Sequence, residues 1–179
     1  MIIIMSELIT NIFSEAPNIS LERNETLFHT GDDVTSIYLV TSGQVELIRY
    51  TKDGVCLILQ TAEANDVLAE ASLHSLRYHC DAKAAAPSTL KALLKSDYLR
   101  RVSHEPLLAE AWAQRLAVAV QSARMRAEIR TLKTVAERLD AWLDSKETLP
   151  PKGRWQNLAQ ELGVSKEALY RELAKRRRN

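Results

Sequence analysis

Ile37-Tyr38-Leu39-Val40-Thr41-Ser42-Gly43-Gln44-Val45-Glu46-Leu47-Ile48 is two β-rich runs around a Ser-Gly break. β-branched and aromatic residues suit a pleated, half-buried backbone, and a glycine turn between two such runs reads as a hairpin. The texture extends on both sides. Thr30-Gly31-Asp32-Asp33 and Lys52-Asp53-Gly54 are further turn signals, the second typical of a tight hairpin. Short strands at spacings of about ten residues, from Ile19 to Ala86, predict an all-β sandwich or barrel. Upstream, residues 6–16 read as a short amphipathic helix with Leu8, Ile9, Ile12 and Phe13 on one face, ended by Pro17.

After Leu90 the pattern becomes helical. Ser103 is placed to cap a helix whose first turn holds Glu105 and Pro106. No glycine or proline interrupts it as far as Arg130. Leu108, Trp112, Leu116, Ala119 and Ala123 follow at spacings of four, four, three and four, a near-heptad stripe. A helix this long finds little surface within so small a chain, so the stripe predicts a seam between two protomers. A second helix is expected from Leu132 to Asp144. Leu149-Pro150-Pro151-Lys152-Gly153 then marks a boundary.

The C-terminal segment reads as two short helices. Arg154 to Leu162 places Leu158, Ala159 and Leu162 inward, Gly163 stands where a left-handed residue ends a helix, and Ser165 can cap a helix from Lys166 to about Arg178. That is the pattern of a helix-turn-helix. Lys166, Glu167, Tyr170 and Arg171 cluster at the start of the second helix, where base contacts are made, with Ser165 beside them. Arg176 and Arg177, followed by Arg178, are candidates for phosphate contacts.

Charge supports this placement. Of 179 residues 46% are hydrophobic, which excludes a disordered chain, and the net charge is only +1. Yet Pro150 to Asn179 carries eight Lys/Arg against three acids, a net +5, leaving −4 elsewhere. The two cysteines, Cys56 and Cys80, are too few for a disulfide framework or a four-thiolate cluster. The apolar start, Met1 to Met5, is too short for an anchor and lacks a basic flank. The expectation is a soluble, cytoplasmic protein with no membrane partner.

On these residues the chain resembles the cyclic-AMP receptor protein and FNR (Crp/Fnr) family of bacterial transcription regulators. Gly31, Gly43 and Gly54 match the family's β-roll turns in spacing. Ile37 to Leu47 is similar to its strand pair, and Val135-Ala136-Glu137-Arg138-Leu139 to the start of its hinge-following helix. Gly163-Val164-Ser165-Lys166-Glu167-Ala168-Leu169-Tyr170-Arg171 is similar to its recognition helix. The resemblance implies an α+β chain in three parts. These are an N-terminal β-roll of the cyclic-nucleotide-binding type with a short leading helix (1–102), a dimerisation helix (103–130) and a helix-turn-helix domain (131–179). It implies a homodimer, a palindromic site on double-stranded DNA, RNA polymerase as a further partner, and no enzyme activity.

The family's phosphate cassette maps to Ala69, Glu70, Ser72, Arg77, Tyr78 and His79, the candidate effector pocket. Glu70 matches the ribose-hydroxyl ligand. Alanine replaces the cassette glycine at 69, and Tyr78 falls where the phosphate-pairing arginine belongs, with Arg77 one residue away. A one-residue slip in a strand reverses a side chain's direction. The polar pair that receives the base has no counterpart near Ala119-Val120 or Ala123-Arg124. Cyclic AMP is therefore expected to bind weakly or not at all, and the effector stays unassigned. The alternative is a module sensing haem, a metal, redox state or a cyclic nucleotide, with weak or no specific DNA binding. For haem it offers only His74, His79 and Cys80, so no cofactor and no metal site is expected. A cupin-like enzyme would need clustered ligands that His29, His74, His79 and His104 do not provide. The chain also stops at Asn179, before the wing that usually follows the recognition helix, so a wing is expected to be missing.

Overall fold

A computed structural model describes residues 2–54, 56–146 and 148–177, with side chains from residue 7 to 145 apart from Val55, and from 148 to 177. The chain divides into two compact units, Met1–Gln114 and Arg115–Asn179, the division falling inside one long helix.

The first unit is a β-roll. Eight strands, β1 (Asn18–Leu21), β2 (Thr26–Phe28), β3 (Ser36–Ser42), β4 (Val45–Tyr50), β5 (Cys56–Ala62), β6 (Val67–Leu68), β7 (Asp81–Ala84) and β8 (Ser88–Leu94), form two four-stranded antiparallel sheets. Their orders are β1-β8-β3-β6 and β2-β7-β4-β5. Alternate residues of both sheets meet between them: Leu21, Tyr38, Val40, Leu68 and Leu90 from one, Phe28, Val45, Leu47, Ala62, Ala82 and Ala84 from the other.

The expected hairpin at Gly43 is not one. β3 pairs with β8 and β6, whereas β4 pairs with β5 and β7, so Ser42-Gly43-Gln44 is a corner between sheets. Gly43 has φ 84°, and a Cβ there would overlap the Pro87 carbonyl and lie 2.6 Å from Ser88 Cα. The glycine therefore marks close backbone approach, a requirement that local sequence cannot separate from a hairpin turn. Asp53-Gly54 does lie between paired strands, with Tyr50 opposite Cys56.

The helical boundaries also shift. α1 covers Ile2–Asn11, with Ile12 and Phe13 buried beyond its end. β8 continues to Leu94, and α2 (Lys95–His104) follows directly. Ser103 lies inside α2, donating to Arg100 O at 2.8 Å, and does not cap the long helix. That helix, α3 (Pro106–Thr131), begins with its proline at the first position, where no amide donor is needed.

In the second unit α4 (Val135–Lys146), α5 (Trp155–Leu162) and α6 (Lys166–Arg176) follow the end of α3. α4 starts three residues later than expected because Thr134 and Glu137 form a reciprocal cap. Thr134 N donates to Glu137 Oε2 at 2.9 Å, and Glu137 N donates to Thr134 Oγ1 at 3.1 Å. Ile129, Leu139, Trp142, Trp155, Leu158, Ala159, Leu162, Leu169 and Leu173 form this unit's core. Among the described residues no helix is long and apolar enough to cross a membrane.

Candidate functional site

Two places concentrate the polar residues singled out above. The first is a cavity of about 90 Å³ in the β-roll, lined by Phe28, Leu47, Leu59, Gln60, Ala69, Glu70, Ala71, Ser72, His79 and Cys80. Ala69 precedes a single 3₁₀ turn, Glu70–Ser72, and adopts φ 70°, ψ 9°. This left-handed conformation favours glycine and strains alanine. Ser72 Oγ and His79 Nδ1 share a hydrogen bond of 2.9 Å. Burial raises the Cys80 thiol above its ordinary value, so it stays protonated and unreactive near neutrality.

Of the candidate pocket residues, Ala69, Glu70, Ser72 and His79 line this cavity. Arg77 and Tyr78 do not. Arg77 points outward: its Nη1 donates to Gly31 O at 2.7 Å and lies 3.4 Å from Asp33. Tyr78 points into the core, its ring stacked on Phe28 at 3.8 Å and its hydroxyl donating to Ser36 O at 2.8 Å. Both precede β7, in a segment held by the isolated bridge Asp33–Arg77 and by Tyr78 N donating to Asp32 O at 2.9 Å, which sends the two neighbouring side chains in different directions. No arginine or lysine lines the cavity, whose volume lies far below the roughly 300–1,000 Å³ of drug-sized ligand sites. Among the described residues no group of three or more His, Cys, Asp or Glu is arranged to hold a metal.

The second place is the α5–α6 turn. Gly163 has φ 63°, and Gly163 N and Val164 N donate to Gln160 O and Ala159 O at 3.1 and 3.0 Å, closing α5. Ser165 Oγ accepts from Ala168 N at 3.2 Å and starts α6. Ser165 is thus engaged as a cap. Leu169 and Leu173 turn inward, which points Glu167, Arg171 and Lys175 outward, all exposed. Lys166 and Tyr170 lie on one flank: the Lys166 ammonium is 5.7 Å from the Tyr170 ring centroid, and that ring meets Trp155 edge-on at 5.2 Å. Arg177 stacks over Trp155 at 5.4 Å.

Arg176 departs from its expected role. Its Nη1 lies 2.6 Å from Asp140, its Nε 2.8 Å from Glu172, and its Nη2 donates to Ala136 O at 3.1 Å. The two carboxylates hold it more firmly protonated and cancel its charge, so it fastens α6 to α4 and offers little to a phosphate. Arg178 lies outside the described residues. Lys175 lies exposed on the outward face one turn beyond Arg171, at the i, i+4 spacing that marks it as a further candidate beside the arginine run.

The stripe on α3 also divides. Leu108 and Trp112 are buried within the first unit, where Trp112 packs on Tyr98 at 4.6 Å, so neither is available as an open seam. Leu116 is half-buried, Ala119 and Ala123 are exposed, and Val118, Val120 and Met125 beside them are 61%, 48% and 40% exposed.

Residues 18–105 match the cyclic nucleotide-binding domain family. No curated protein sequence matches the chain significantly. Among solved structures, FixK2 from Bradyrhizobium japonicum is similar at TM-score 0.72 and 18% identity, over 89% of this chain and 83% of that one. The c-di-GMP responsive global regulator CLP of Xanthomonas campestris matches at TM-score 0.69 and 18% identity, over 96% and 91%. The catabolite activator protein of Thermus thermophilus matches at TM-score 0.58 and 25% identity, over 94% and 82%. Residues 18–105 thus form a cyclic nucleotide-binding domain, within a fold that nearly the whole chain shares with these Crp/Fnr-type regulators.

Proposed function

We propose that the chain is a homodimeric, sequence-specific DNA-binding regulator in which α5 and α6 form a helix-turn-helix and α6 is the recognition helix. The observation that carries this reading is the outward face of α6. Glu167, Arg171 and Lys175 are exposed there, on a helix whose entry is fixed by left-handed Gly163 and the Ser165 cap. Arginine can bond guanine O6 and N7 with two donors, and glutamate can accept from cytosine N4. Lys166 and Arg177, held on one flank by Tyr170 and Trp155, suit phosphates. The second half of α3, with Leu116, Ala119 and Ala123, supplies the seam between protomers. Two symmetric recognition helices then read a near-palindrome with half-sites about one helical turn apart. RNA polymerase is the expected further partner of such a regulator on DNA.

In this reading the β-roll cavity does not take a cyclic nucleotide. Its wall offers one carboxylate, Glu70, and no cation to pair with a phosphate. Calorimetry with cyclic AMP should show no micromolar binding; micromolar or tighter binding would require the cassette to rebuild around Arg77.

Selection from random duplex DNA tests the main reading. An enriched palindrome is expected, and Arg171→Ala should weaken binding by about 1–3 kcal/mol and relax one position per half-site. A selection that enriches no palindrome refutes it.

A further inference from the structure

Arg130 in the last turn of α3 and Arg138 in the first turn of α4 converge on the turn between α5 and α6. Arg130 Nη2 donates to Gln160 O at 2.9 Å. Arg138 Nη1 donates to Leu162 O and Gly163 O at 3.1 and 3.0 Å, and its Nε donates to Leu132 O at 2.8 Å. The last carbonyls of a helix lack partners within it and carry the negative end of its dipole. Here two guanidinium groups add donors at this end, Arg130 sharing Gln160 O with the Gly163 amide and Arg138 reaching Leu162 O and Gly163 O. Arg138 also holds the first residue after α3, a reach in two directions that a planar fork allows and a single ammonium does not.

Packing repeats the connection. Ile129 of α3 and Leu139 of α4 are buried in one cluster with Leu158 and Leu162 of α5. Only Leu132, Lys133 and Thr134 separate α3 from α4, and the Leu132 carbonyl is itself held. The Arg130 side chain crosses Gly163 so closely that a Cβ there would lie 3.0–3.3 Å from its Cγ, Nε and Cδ.

We propose that Arg130 and Arg138 are positioning residues that fasten the α5–α6 turn to the C-terminal end of α3, so that the second half of α3 and α4–α6 move as one body. This rests on the reading of α6 as the recognition helix and α3 as the dimer seam. Under it, the clamp fixes the angle and separation at which a dimer presents its two recognition helices. The DNA half-site spacing is then set by two arginines that need not touch DNA.

The test is a distance distribution within the full chain. Spin labels are placed by Gln121→Cys on α3 and Gln156→Cys on α5, both exposed, in a Cys56→Ser background that leaves Cys80 buried. Labelled chain is diluted with unlabelled chain so that only intrachain pairs are read by pulsed electron resonance. The parent should give one narrow distance. Arg130→Met with Arg138→Met should roughly double the width, as expected when a hinge is freed. A narrow, unchanged distribution in the folded variant overturns the clamp. If the double variant does not fold, Arg138→Lys decides, since it keeps the charge and stem but loses the fork. It too must widen, and an unchanged width overturns the proposal. A second readout uses DNA with varied half-site spacing. The parent should prefer one spacing and the variants accept several, with half-site affinity unchanged. The distance measurement needs no DNA, so a parent that binds no palindrome removes the underlying reading while the distances still judge the clamp.

Discussion

Both units of this chain contain an arginine that the sequence offers as a candidate phosphate contact, and both use that arginine internally. In the β-roll Arg77 is taken up by Gly31 O and Asp33; on α6 Arg176 is taken up by Asp140, Glu172 and Ala136 O. What remains afterwards differs. No cation faces the β-roll cavity, whereas Lys166, Arg171, Lys175 and Arg177 remain on the surface of the second unit. Net charge divides the same way: nine Lys/Arg against fifteen acids in residues 1–114, or −6, and fifteen against eight in 115–179, or +7. A binding site for anions is therefore defined by the cations left uncommitted, not by those present.

The largest expected effect concerns how each unit covers its own stretch of α3. The first unit buries Leu108 and Trp112 itself; the second leaves Leu116, Ala119 and Ala123 short of cover. Leu116→Glu with Ala123→Glu should give monomers by sedimentation, because buried unpaired charge opposes the seam. Affinity for a palindrome should fall by about 10²-fold or more as the two half-sites lose their linkage. A double variant that remains dimeric would place the seam elsewhere.

Next come the two left-handed turns. Ala69 and Gly163 share this backbone region, at φ 70° and 63°, and the Arg130 side chain lies across Gly163. Gly163→Ala should destabilise by about 1–2 kcal/mol from backbone strain alone, and more as Arg130 is displaced. Ala69→Gly should relieve strain and stabilise by up to about 1 kcal/mol, less the added freedom of the unfolded chain. It should not create cyclic AMP binding, because Arg77 stays outside and Tyr78 stays in the core. Thermal melts and calorimetry on the two variants check all three outcomes. Nucleotide binding gained by Ala69→Gly would erase the distinction between the units.

How far the sequence reveals this depends on whether a feature is local. The Gly163 turn and Ser165 cap are local backbone chemistry, and they stand where residue type and spacing put them. Apolar alternation likewise reveals the β-roll interior, from Tyr38 and Val40 to Val45 and Leu47. The corner at Gly43 looks like a hairpin in the sequence because which sheet a strand joins depends on β8, some fifty residues away. Arg77, Arg176 and Arg138 were beyond reach for the same reason. Their partners lie 46, 36 and 25 residues off, and a charged side chain's commitment is a tertiary fact.

A smaller effect separates neighbours in the arginine run. Arg177→Met should reduce the salt slope of DNA binding by about one, the share of a single phosphate contact. Arg176→Met should leave the slope unchanged and instead lower stability, since it releases Asp140 and Glu172. Equal slopes for the two variants would mean Arg176 is freed on binding.

The smallest effect is a pH dependence confined to the second unit. Glu137 is held below its ordinary value of 4.5, chiefly by the Thr134 backbone amide and then by its hydroxyl, because both donors stabilise the ionised carboxylate. A depressed folded value means that the carboxylate's contribution is complete above the unfolded value and disappears as pH falls through the folded one. Acid should therefore loosen the start of α4 below about pH 4.5, and Glu137→Gln should remove that portion of the acid sensitivity while leaving neutral stability slightly lower. Because Glu137 directly precedes Arg138, amide protection at Val135 to Leu139, relative to the intrinsic exchange rate at each pH, should fall in acid in the parent and be lower at both pH values in the variant. If protection there does not depend on pH in the parent, the reciprocal cap adds nothing to the hold on α4, and the clamp alone keeps that helix in place.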